Sequence, residues 1–316
     1  MTTTSPAPVT AGPAPARIGW IALTAMSPLI WGTTYLVTTE LLPAGHPLFA
    51  ALMRSLPAGL LAVLFSRNLP HGHWWWRSFV LGALNLAVFF PLLFVAAQRL
   101  PGGVAATLGA SQPLVVAFLA VLVLGERFST WRIGWGVIGV IGVGFVVLGP
   151  GAGFDVTGIL AGSAGALSMG LGVVLSKKWG RPESVGALGY AGWQLSAAGI
   201  LLLVPALLID GVPAGIDGKA IAGYLWLGLA GALVSYTLWF AGLRRLPVTA
   251  TALLGLLSPL MAAVLGALLA GESLNPLQLI GFALALSALV AGQLPGPRRR
   301  RTSDPAGIRP VPACRS

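Results

Sequence analysis

Charge is what this chain has least of. Only 9% of its 316 residues are Asp, Glu, Lys or Arg, and just eight are acidic, against about a quarter charged in an average soluble domain. A soluble fold of this length needs a polar surface, and the shortage excludes one, since 56% of residues are hydrophobic and mean hydropathy is +0.86. Cysteine is nearly missing too. The single one, Cys314, lies in a polar tail, which rules out a disulfide framework and a cysteine-based metal site. No GxxxxGK[ST] phosphate loop is present; the only Gly-Lys pair, Gly218-Lys219, lacks both the upstream glycine and the hydroxyl residue, so ATP hydrolysis by a phosphate loop of this chain is excluded.

The long apolar runs are equally short of reactive side chains. No His, Asp, Glu, Lys or Cys lies deep in any of them, and an intramembrane hydrolase needs a base or metal ligands beside its nucleophile. Gly162-Ser163-Ala164-Gly165 looks superficially like a hydrolase turn but has no histidine partner and reads as small-residue helix packing. His71 and His73 form only an isolated pair before Trp74-Trp75-Trp76. The pattern therefore points away from an enzyme, and nothing in it calls for a cofactor or a metal. A membrane-embedded enzyme and a channel are the alternatives weighed against a carrier.

What is present is a series of apolar runs about twenty residues long, the length that spans a bilayer. Breaks at Gly, Pro and charge clusters delimit ten segments, at roughly 18–38, 47–66, 76–97, 101–124, 131–149, 156–176, 185–209, 219–242, 247–270 and 276–294. The fold class expected is an all-α membrane protein of ten transmembrane helices. Residues 1–16, rich in Pro, Thr and Ala, read as a disordered N-tail, and residues 295–316 as a basic disordered C-tail. If the N-terminus is cytoplasmic, that side receives sixteen Lys and Arg and the other side only Arg99 and Lys219. The positive-inside rule thus places both termini in the cytoplasm. It also accounts for the net charge of +11 without nucleic acid as a partner; the lipid bilayer is the partner expected, and a homodimer stays open.

Residues 99–126 and 245–272, at a fixed offset of 146, share 13 identities in 28 positions, among them Arg99/Arg245, Pro101/Pro247, Gly109/Gly255, Pro113/Pro259 and Glu126/Glu272. The chain reads as a duplication with five segments per half, 18–149 and 156–294. Five is odd, so the second half enters the membrane from the opposite face. Two inverted five-helix repeats are an architecture of secondary transporters, in which one central site opens alternately to either side.

The paired RLP…G…P…LGE phrase, Trp31-Gly32 in segment one, Arg54 in segment two and the ten spans resemble the EamA family of the drug/metabolite transporter superfamily over residues 18–294. SPLIWGTTYLVTTELLP (27–43) followed by RSLPAGLL (54–61) resembles its PecM-like branch, named for exporters of a blue pigment. The resemblance implies a plasma-membrane exporter of a small metabolite or drug-like solute, amino-acid-like or aromatic.

Candidate site residues follow from polarity inside the spans. Arg54 is the one formally charged residue well inside a segment. A cation there costs roughly 2.5–3.5 kcal/mol on insertion scales, so it faces the interior, as a counter-charge for an anionic solute or bonded to a carbonyl, or it snorkels to the interface. Trp31, Gly32, Thr34 and Tyr35 follow Pro28 in a polar and aromatic patch, readable as a solute contact or as helix packing. Gln112, Asn85, Trp193, Gln194, Tyr236 and Trp239 are further substrate-binding candidates, each with packing as the plain alternative. Gln194 falls near the counterpart of Arg54. Pro113 and Pro259 are expected to bend their helices and free the carbonyls of Gly109 and Gly255. Glu126 and Glu272 at span ends are candidates for gating, or are simply interfacial residues favoured by the next helix's dipole.

Overall fold

The computed structural model describes residues 14–99, 108–147, 155–270 and 275–294, and every regular element among them is helical. In chain order they are α1 (Ala14–Gly32), α2 (Thr34–Leu41), α3 (Pro47–Ser66), α4 (Trp74–Gly82), α5 (Phe89–Arg99), α6 (Gln112–Leu124), α7 (Thr130–Val147), α8 (Val156–Trp179), α9 (Ala187–Pro205), α10 (Gly218–Leu225), α11 (Ser235–Arg245), α12 (Val248–Leu254), α13 (Leu257–Ala270) and α14 (Pro276–Gln293). Three π-helical stretches, Ala83–Ala87, Ala206–Asp210 and Trp226–Val234, join α4 to α5, extend α9, and join α10 to α11.

Seven continuous helices among the described residues are long and apolar enough to cross a membrane, and Leu108–Leu124, Thr130–Phe145 and Val248–Ala262 are shorter apolar helices. Their ends are written locally. Asn275 and Gln278 form a reciprocal capping box at 2.9 Å in each direction, with Pro276 in the first turn. Asp155 and Asp217 cap α8 and α10 by accepting the amides of Gly158 and Ala220. Gly125 ends α6 at φ 64°, in the left-handed region where glycine pays no steric penalty.

Outward-facing leucines such as Leu208 and Leu268 are 80% and 75% exposed, which suits contact with lipid. The interior is held by small residues, because apolar side chains gain nothing by leaving hydrocarbon and association rests on close approach. Gly59, Gly192 and Gly199 bring α3 and α9 together; a Cβ on Gly199 would stand 2.5 Å from that of Leu56. Gly142 does the same between α7 and α14, where a Cβ would meet the Ala285 amide at 2.7 Å.

The packing partners obey an exchange rule. α3 packs on α9 and α7 on α14; α5 packs on α8 as α11 packs on α1; α6 packs on α8 as α13 packs on α1. Swapping α1 with α8, α3 with α9, α5 with α11, α6 with α13 and α7 with α14 leaves this set of contacts unchanged. Each half thus folds across the other.

Candidate functional site

A cavity of about 320 Å³ lies among α1, α2, α3, α5, α6, α8, α11 and α13. Its walls are mostly apolar, and most of them come from matched positions. Phe90 and Tyr236, Leu93 and Trp239, Gly109 and Gly255, Ala110 and Leu256, Gln112 and Ser258, and Pro113 and Pro259 all line it, each pair 146 residues apart. The remaining wall comes from Trp31, Thr34, Thr38, Arg54, Phe89, Ala166 and Met169.

Of the residues singled out from sequence, Trp31, Thr34, Arg54, Gln112, Pro113, Tyr236, Trp239 and Pro259 meet here. Arg54 is 6% exposed. Its Nη2 donates to the Gly231 carbonyl at 2.9 Å, and the guanidinium carbon lies 5.1 Å from the Phe90 ring centre. Both contacts offset the cost of burying a cation. Trp31 Nε1 donates to Ser235 Oγ at 2.9 Å and to the Gly231 carbonyl at 3.1 Å, while Ser235 Oγ donates to that same carbonyl at 2.6 Å. One carbonyl therefore gathers three side-chain donors.

The π-helical stretch is what makes this carbonyl accessible. In an α-helix the Ser235 amide would bond Gly231; here it reaches Ala230 and Ala232 instead, and the widened turn presents Gly231 to Arg54 and Trp31. Gln112 supplies the other polar wall. It is 8% exposed, and its Nε2 has no hydrogen-bond partner among the described residues, which leaves a donor at the cavity for an acceptor on a solute.

At the paired prolines the helices are interrupted outright. A turn at Ser111 precedes Pro113, which sits in the first turn of α6, and turns at Gly255 and Leu256 precede Pro259 in α13. Proline tolerates a first turn because its missing N–H is an orphan there. The Gly255 carbonyl expected to be freed accepts the Ser258 amide at 3.0 Å, since the turn tightens to an i+3 bond. Segment one likewise breaks at Thr33, whose Oγ1 donates to the Ile30 carbonyl at 2.7 Å, and not at Pro28, which lies within α1.

The other candidates lie elsewhere. Gly32 sits at the α1–α13 contact, where a Cβ would meet the Ser258 carbonyl at 2.7 Å. Tyr35 belongs to α2; its side chain and Glu272 are outside what the structure describes. Asn85 and Gln194 find each other: Asn85 Nδ2 donates to Gln194 Oε1 at 2.8 Å and lies 3.4 Å from Ser176 Oγ, and neither residue lines the cavity. Trp193 Nε1 donates to the Asn68 carbonyl at 2.8 Å, in a ring cluster with Trp74 and His71. Glu126 lies within electrostatic range of Lys177 and Arg132. At the same end Arg181, in the segment linking α8 to α9, is held below its ordinary pKa by burial and then by the nearby Arg244.

Sequence reasoning missed Thr38, Phe89, Phe90, Leu93, Ala110, Ala166, Met169 and Leu256. The offset of 146 contained a signal for two of them, because it carries Tyr236 to Phe90 and Trp239 to Leu93.

An all-helical, lipid-adapted bundle whose matched halves enclose an apolar cavity fits a multi-pass membrane transporter, and similarity to known proteins agrees. Residues 18–148 and 156–291 each match the EamA-like transporter family. The chain is 44% identical over 267 residues to protein PecM of Dickeya dadantii (strain 3937), covering 84% of this chain and 90% of PecM. It is 31% identical over 285 residues to a WAT1-related chloroplastic protein of Arabidopsis thaliana (84% and 67% covered) and 28% identical over 283 residues to the uncharacterized transporter YwfM of Bacillus subtilis (strain 168) (87% and 94%). A protein crystal structure shares the fold with TM-score 0.74 at 20% identity, covering 87% of this chain and 96% of that one. The chain belongs to the EamA-like transporter family, within the drug/metabolite superfamily and its PecM-like branch.

Proposed function

We propose that this protein exports a small, largely apolar and planar solute bearing a hydrogen-bond acceptor or acidic group, by alternating access without ATP. The observation that carries this reading is the cavity wall built from six pairs of positions 146 residues apart. A site on the axis relating two halves is equally reachable from both faces once the halves exchange conformations. Residues 18–149 and 156–294 act as two inverted five-helix repeats with both termini in the cytoplasm, and the protein sits in the plasma membrane.

Chemistry at the wall selects the solute. Trp31, Phe90, Tyr236 and Trp239 offer ring faces, which bind planar molecules through dispersion and quadrupole contacts. Arg54 and Gln112 offer donors, so an acceptor-rich or anionic edge is favoured over a cationic one. The export direction follows the family. No acid lies in the cavity wall among the described residues, so facilitated export or exchange serves as well as proton coupling.

Reconstitution in liposomes tests this. Aromatic pigments, amphiphilic dyes and amino acids, presented with and without a pH gradient, are expected to yield saturable flux for at least one planar, acceptor-bearing solute. Arg54→Ala at normal membrane abundance is expected to lower that flux about tenfold or more, the effect of losing a charge-assisted bond of 1.5–3 kcal/mol. Unaltered flux in Arg54→Ala would remove it from the site, and ion currents far above carrier rates would replace the carrier reading with a channel.

A further inference from the structure

Buried rings stand between the cavity and one end of the bundle. The cavity reaches Thr38, within a turn of the end of α2 at Leu41. Toward the opposite end, where α3 finishes at Ser66 and α8 at Trp179, ring contacts of 5.0 to 6.0 Å run from Trp31 through Tyr236, Phe240, Tyr190 and Trp74 to Trp193. The last five of these rings are all at least nine-tenths buried. Among the described residues, this line of buried rings stands between the cavity and that end.

Beside the rings stands one lysine. Lys177 Nζ donates to the carbonyls of Leu243 at 2.6 Å, Leu246 at 2.8 Å and Arg244 at 3.3 Å. These groups end α11, where the helix dipole is negative and carbonyls lack intrahelical partners. An ammonium has three donors in a compact tetrahedral head, and here each faces a carbonyl. Glu126, from the other half of the chain and two residues past the end of α6, adds attraction.

The exchange rule of the packing gives this contact its meaning. α8 and α11 in the second half correspond to segment one and α5 in the first. There Thr38, near the end of α2, and Leu93 of α5 both border open cavity; here Lys177, near the end of α8, is fastened to α11. The first of these helix pairs borders the cavity near the end of α2, and the second is tied together near the end of α8.

We propose that Lys177 is the latch of the closed end, holding α8 against the end of α11, and that its release opens the cavity to that face. The proposal rests on the alternating-access reading. Release leaves the Leu243 and Leu246 carbonyls to water entering the gap and lets the Tyr190–Phe240 contact part, while the cavity narrows at its Thr38 end.

Site-directed labelling tests the latch apart from transport. With Cys314→Ser as background, Ser176→Cys reports on the closed end and Thr38→Cys on the cavity, each treated with a membrane-impermeant maleimide from either face of vesicles. Adding Lys177→Met is expected to raise the labelling rate at Ser176→Cys about tenfold or more, the population shift that follows loss of a charge-assisted contact, and to lower it at Thr38→Cys. Removing the ammonium makes a neighbouring thiolate harder to form, so thiol chemistry alone predicts the opposite sign. Lys177→Arg, which keeps the charge and donors, is expected to restore much of the slow labelling. Unchanged rates at both reporters, or faster labelling at both, would overturn the latch, the second because general loosening and not exchange would be at work. Reciprocal labelling in a protein that moves no tested solute would uphold the latch while removing the transport reading.

Discussion

Arg54 and Gln194 stand in related places and do opposite things. Arg54 of α3 reaches the Gly231 carbonyl in the π-helical stretch ahead of α11; Gln194 of α9 bonds Asn85 in the π-helical stretch ahead of α5. Asn85 and Gly231 are themselves 146 residues apart. Yet Arg54 borders the cavity, whereas Gln194 is fully buried and Asn85 is 2% exposed. The polar group at the cavity wall is a cation, and its counterpart is a neutral amide buried in the interior. A duplicated scaffold keeps the backbone device, a widened turn presenting a polar group, and lets each half use it differently.

The strongest way to break the comparison is to make the halves alike. Gln194→Arg puts a second guanidinium into a sealed pocket where Asn85 and Ser176 offer no negative charge, and an uncompensated buried charge costs about 3–5 kcal/mol. The expected outcome is a large fall in folded yield, read by thermal unfolding in detergent and by monodispersity; a normal melting profile would show that the pocket admits water. Arg54→Gln, the reverse change, is expected to leave the fold intact and to lower flux about tenfold or more, in line with the loss of a charge-assisted bond. Flux equal to the parent would mean that hydrogen bonding, not charge, is what the cavity uses at this position. Smallest is Asn85→Leu, which strands the Gln194 carbonyl oxygen and is expected to destabilise by about 1–3 kcal/mol while changing flux less than twofold. A flux loss as deep as that of Arg54→Gln would instead place Asn85 on the solute's path.

Much of this was legible before any coordinates. The apolar runs and the 146-residue repeat follow from residue type and spacing, because bilayer thickness acts on the chain locally. Arg54, Gln112 and the paired prolines stood out since a polar group or a missing N–H inside an apolar run has few uses. Phe89, Phe90, Ala166 and Met169 did not, because an apolar side chain facing a cavity and one facing lipid look the same in sequence. Asn85 and Gln194 looked like solute contacts for the converse reason: both were polar, and only the tertiary structure shows the Asn85 amide donating to the Gln194 carbonyl oxygen.

The sequence by itself determined a membrane-spanning, duplicated, all-helical chain with one buried cation, because hydropathy, charge bias and self-similarity are properties of residues in order. Tertiary structure alone decided which polar residues face the cavity and which seal against each other, where the helix register widens to expose the Gly231 carbonyl, and which end Lys177 ties shut. Those outcomes depend on hydrogen bonds between helices distant in sequence, and their geometry is settled only when the two halves pack.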